Sequence, residues 1–72
     1  SKYRTLRLEL HLHPENANYL SGEKKHVLRG LMWQNFIHLK IKENIELGQD
    51  DFKFYRTKDG KDVTEEMNLE KE

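Results

Sequence analysis

Leu6-Arg7-Leu8-Glu9-Leu10-His11-Leu12 alternates apolar and polar side chains without a break. Period-two alternation puts every leucine on one side of an extended chain and every polar residue on the other, which predicts a half-buried strand over 4–12. Leucine is a poor strand former, so the pattern carries this prediction against propensity. Pro14 lacks a backbone donor and ends the strand. The leucine face needs a cover, and the odd face (Arg7, Glu9, His11, His13) turns to solvent.

The next stretch, PENANYLSG, is rich in turn formers and reads as a loop with a single helical turn at 15–19. Ser21 is a suitable helix N-cap, and Glu23 complements the helix dipole. Beyond it the period changes. Val27, Leu28, Leu31, Met32, Phe36 and Leu39 recur at three- and four-residue spacing, which predicts a helix over 22–38 with its apolar arc widened by Trp33 and Ile37. Gly30 inside it suggests close approach to a strand. Residues 37–47 support two readings. Ile37, Ile41 and Ile45 repeat every four residues as in a helix, while Ile37, Leu39 and Ile41 alternate as in a strand. The long helix is preferred, because no turn residue lies between Met32 and Lys42. A β-hairpin is expected around Asp59-Gly60, pairing Arg56 with Val63, Phe54 with Glu65 and Phe52 with Met67. A three-residue turn with a bulge at Gly60 would instead pair Arg56 with Asp62. The charged tail from 66 to 72 is read as frayed.

These elements make one small α+β domain over 1–72: strand, helix and β-hairpin, with a three-stranded sheet and one main helix packed on one face. Only 35% of the residues are apolar. That is enough for one small core, and not for a core plus a deep substrate cavity. There is no cysteine, which fits a reducing compartment and a cytoplasmic location. No apolar run approaches the roughly 18 residues of a membrane span.

The net charge is zero but unevenly placed. Residues 1–40 carry seven Lys/Arg against three Asp/Glu, and residues 41–72 carry six against ten. The simplest expectation is that the two sets pair in the fold. All four histidines lie in the positive part, and an unperturbed imidazole titrates near about pH 6.5.

No catalytic or cofactor signature appears. His11 and His13 share a strand face with Glu9, a zinc-like donor set. A helix on the leucine face cannot bring His26 or His38 to them, so no metal site is expected. Ser1 and Ser21 lack a partner base, and Gly22, Gly30, Gly48 and Gly60 are too scattered for a phosphate loop. No cofactor and no small-molecule substrate are expected. The chain therefore reads as a non-enzymatic binding module working through protein contacts, a small regulator or inhibitor that can self-associate. Its surface is the first strand, a candidate sheet edge, with its odd face Arg7, Glu9, His11 and His13, and the helix flank at Trp33 and Ile37. The alternative is RNA or DNA binding through Arg4, Arg7, Lys24, Lys25 and Arg29. Leu8 and Leu10 on a strand, then Pro14-Glu15, then Leu28-x-Gly30-Leu31-x-Trp33 on a helix resemble the start of ferredoxin-like CRISPR repeat-processing endoribonucleases. The resemblance covers about the first half of the chain and implies RNA binding. It carries over no catalytic residue.

Overall fold

The computed structural model describes residues 6–67. The elements run β1 (Leu6–Leu12), α1 (Pro14–Ser21), α2 (Lys25–Asn35), β2 (Ile37–Glu43), β3 (Phe52–Arg56) and α3 (Thr64–Met67). They form a small α+β domain, a three-stranded sheet in the order β2-β1-β3 with helices packed against it. The leucine strand is the central one, and not the sheet edge that the sequence suggests. It pairs with β2 in parallel, Leu6 opposite Ile37 through Leu12 opposite Glu43. It pairs with β3 antiparallel, Leu8 opposite Arg56 through Leu12 opposite Phe52.

Burial follows the alternation. Leu8, Leu10 and Leu12 are buried and, with Ala17 and Val63, make up the fully buried apolar set among the described residues. Leu20 of α1, Leu39 and Ile41 of β2, and Phe54 of β3 pack around Leu10, Leu12 and Ala17.

Four sequence expectations are corrected. Residues 14–21 form a helix rather than a loop, with Pro14 in the first turn, where its missing donor costs nothing. The His13 Nδ1 accepts the Glu15 N–H at 3.2 Å and caps that helix. Ser21 ends α1 instead of capping α2, whose own cap, Lys24, makes no side-chain hydrogen bond. The long helix stops at Asn35: Phe36 takes a left-handed conformation, φ 55°, and hands the chain straight into β2. The third strand is therefore 37–43, not the return limb of a hairpin.

Around Asp59-Gly60 the chain does reverse, through a wider turn than expected. The Gly60 N–H donates to the Arg56 carbonyl, and Gly60 sits at φ 73°. The Arg56 N–H donates to the Lys61 carbonyl and Tyr55 bridges Asp62, so neither predicted register occurs. The return limb is a single bridge. The Asp62 carboxylate accepts from the Thr64 N–H and hydroxyl, and the Thr64 Oγ1 accepts from the Phe54 N–H. Those bonds turn Thr64–Met67 into a helical turn. The rest of the expected frayed tail, 68–72, lies outside the described residues.

Asp59 organises this turn. Its carboxylate accepts from the Arg56 Nε and Nη2 at 3.0 and 2.7 Å and from the Lys61 N–H at 3.1 Å. The Arg56 hydrogen bonds foremost, then the Lys61 amide, hold its carboxyl well below the usual carboxylate range. A depressed folded value means that the turn is supported at all pH above the unfolded value, about 3.9, and loses support only as pH falls below it. In an NMR titration, the Asp59 carboxyl and the Lys61 amide should move together, with a midpoint below that of an unstructured aspartate. Asp59→Asn should abolish the coupled shift.

Gly30 approaches no strand; a Cβ there would meet nothing within 4 Å. Gly30→Ala should therefore raise stability by about 0.5–1 kcal/mol through the unfolded chain's lost freedom. The check is a higher urea midpoint with an unchanged slope.

Candidate functional site: the ledge between α2 and the free edge of β2

β1 gives its even-numbered amides and carbonyls to β2 and its odd ones to β3. The Leu6 N–H donates to the Phe36 carbonyl and the Asn44 N–H to the Leu12 carbonyl, while the Thr57 N–H donates to the Arg7 carbonyl. By that alternation, Ile37, Leu39, Ile41 and Glu43 turn their backbone groups to the outer side of β2. The outer side of β3 is occupied by segment 61–64. Among the described residues the outer side of β2 has one backbone bond, a Leu39 N–H donating to the Met32 Sδ at 3.1 Å. A thioether is a weak acceptor.

Above that edge lies α2. Among the described residues its backbone comes closest to β2 and α1. It thus overhangs the β2 margin of the sheet. Although amphipathic by spacing, α2 buries none of its residues. Leu28 and Met32 are half-buried, while Trp33 is 83% exposed and Val27, Leu31 and Phe36 are each more than half exposed. Between overhang and edge is an open depression of about 440 Å³, lined by Arg29, Met32, Trp33, Phe36, Ile37 and His38. Successive strand residues face opposite ways. A hollow touching both Ile37 and His38 therefore lies at the end and rim of β2, joining the two faces of the sheet.

The second face is uncovered by any described element. Across it run Arg7 opposite His38, then Glu9 between Lys40 and Tyr55, then His11 between Lys42 and Lys53. The His11 and Tyr55 rings lie 4.6 Å apart, tilted. The His11 Nε2 is 3.2 Å from the Glu9 Oε1, and the Lys53 Nζ is 3.7 Å from the Asp62 Oδ2. Hydrogen bonds from Thr64 foremost, with a smaller contribution from Lys53, hold the Asp62 carboxyl below its ordinary value.

No protein-family model, curated protein or solved structure matches the chain.

Of the predicted surface, Trp33 and Ile37 meet in the depression. Arg7, Glu9 and His11 share the open sheet face, which His38 joins to that depression. His13 belongs to neither; it caps α1. The predicted basic set does not converge: Arg7 lies on the open face, Arg29 lines the depression, and Lys24 and Lys25 start α2 on the other layer. Arg4 lies outside the described residues. Charges do not pair between the two parts of the chain as expected. The Lys/Arg–Asp/Glu pairs among the described residues, Lys53–Asp62 and Arg56–Asp59, both fall inside 53–62. Among the described residues no three His, Asp or Glu side chains cluster as metal ligands, and no helix is long and apolar enough to cross a membrane. The depression offers one guanidinium and one imidazole, with no carboxylate or hydroxyl to complete acid–base or nucleophilic chemistry. Sequence reading places Met32 and Phe36 on the same apolar helix arc as Trp33 and Ile37 and misses His38, whose place depends on where α2 ends.

Proposed function

We propose that this protein is a small, non-enzymatic binding module whose α2–β2 ledge is a docking surface for another protein. The observation that carries the reading is that α2 buries none of its residues while leaving Val27, Leu31, Trp33 and Phe36 more than half exposed. Of these, Trp33 and Phe36 line the depression together with Met32 and Ile37, and exposed apolar surface with aromatics at its centre marks an interaction surface. A regulator or inhibitor needs nothing more than such a surface, and a cysteine-free chain suits the cytoplasm.

The test is selection of a random displayed peptide library on the immobilised protein. Binders whose capture falls away with Trp33→Ala or Phe36→Ser support the reading. Recovery of no binders, or of binders indifferent to both substitutions, overturns it.

The uncovered sheet face favours a second reading, nucleic-acid binding. Arg7, Lys40, Lys42 and Lys53 present four cations beside the tilted pair of His11 and Tyr55 rings, a combination that suits single strands. The acidic Glu9 and Asp62 lie among them. Four phosphate contacts would weaken binding of a single-stranded oligonucleotide about fifty-fold between 50 and 200 mM salt, given a slope of about 0.7 per phosphate. Saturable binding with that slope, lost on Lys40→Gln with Lys42→Gln, would favour this reading over the first.

A further inference from the structure

We propose that the ledge takes an extended segment of a partner protein as a fourth strand along β2, with apolar side chains toward α2 and acidic ones on the open face. This rests on the reading of the ledge as a protein-docking surface. Three features of one edge converge on this occupant. The first is hydrogen bonding: Ile41 and Glu43 turn amides and carbonyls outward, with no partner among the described residues, and Leu39 has only the Met32 sulfur. A strand is the ligand that satisfies such a row.

The second is shape. An added strand would lie beneath the overhang of α2, where Met32, Trp33 and Phe36 stand over the rim of the sheet. Its alternate side chains would enter the depression and cover apolar surface that α2 cannot bury on three strands.

The third is charge. The open-face side chains of β2 are His38, Lys40 and Lys42. Directly opposed side chains on neighbouring strands interact, favourably when their charges are opposite, so the complementary strand carries Glu or Asp at alternate positions. The same row argues against a second copy here. Any antiparallel register of β2 on itself that keeps its apolar side chains together sets only His38, Lys40 and Lys42 against one another on the open face. Edge lysines protect natural sheets from this kind of self-pairing.

The experiment uses the 72-residue chain and a blocked synthetic peptide, Val-Glu-Val-Glu-Val-Glu-Val, followed by amide NMR. Binding should slow exchange of the Ile41 and Glu43 amides at least tenfold and shift the Trp33 indole signal. A counterpart with Lys in place of Glu should bind at least tenfold more weakly. Lys40→Glu with Lys42→Glu, both on the open face, should reverse that preference. No binding at millimolar peptide overturns the proposal, as does binding that leaves the Ile41 and Glu43 amides unprotected or ignores the charge reversal. Library binders that depend on Trp33 without protecting those amides would remove strand addition and leave the docking surface standing. Absence of any Trp33-dependent binder would remove both.

Discussion

Leu8→Ala is expected to remove most of the domain's stability. Leu8 is 2% exposed on the central strand, with a neighbouring strand on each side. Truncating such a leucine costs about 3 kcal/mol, from lost transfer energy and the cavity left behind. A chain of this length has roughly 4–11 kcal/mol in total, at 0.05–0.15 per residue. Urea denaturation should show the midpoint collapse, or amide NMR dispersion should vanish in buffer. Leu6→Ala, on the same face but 41% exposed, should cost about 1 kcal/mol or less. Equal losses at the two positions would mean that the leucine face is not buried as described.

The second large effect is the reverse. Trp33→Ala should weaken the capture of ledge-binding peptides about thirty-fold or more, the roughly 2 kcal/mol of an aromatic anchor. It should move the denaturation midpoint hardly at all, by about 0.5 kcal/mol or less, because a side chain 83% exposed contributes little to the fold. Isothermal calorimetry with a selected peptide, run beside a urea melt, reads both quantities. A variant that melts early and still binds would assign Trp33 to the fold and take it out of the docking surface. Together the two substitutions separate what holds this protein up from what it presents.

The fold class and the role of the leucine strand are legible in the sequence because alternation reports burial directly, residue by residue. The end of α2 is not legible. Helices commonly end on glycine or asparagine in the left-handed conformation; here Phe36 takes it, and a bulky residue there gives no compositional warning. With that boundary hidden, Ile37, Leu39 and Ile41 fit the helix and strand periods together, and only the β-branching of Ile37 and Ile41 favours the strand. The reversal at Gly60 is legible from Asp59-Gly60, but the helical turn after it depends on Asp62 and Thr64 bonding back to β3 and to each other. Short polar side chains near a predicted strand are the signal that could have shown it. Pro14 is legible as a strand terminator, and the same residue is also a helix initiator; both roles are realised one after the other.

For the site, exposed Trp33 and half-buried Ile37 could be named from the helical arc. The edge beside them could not, because edge status belongs to the strand order and no local pattern encodes it. Once β1 is known to lie in the middle, the unmatched outer row of β2 and the overhang of α2 follow from the alternation already visible in IHLKIKE.

The middle position of β1 also sets an order of events in assembly. The strand whose leucines make the core is the first of the three along the chain, yet Leu6 must find Ile37, and Leu12 must find Phe52. Neither partner is near in sequence, so each pairing closes a large loop before it is rewarded. On a ribosome, β1 would emerge with both edges and its whole apolar face unmatched; β2 would meet one edge first, and the other would stay open until β3 had followed. Closure is then a late step, slower than the local contacts within α1 and α2.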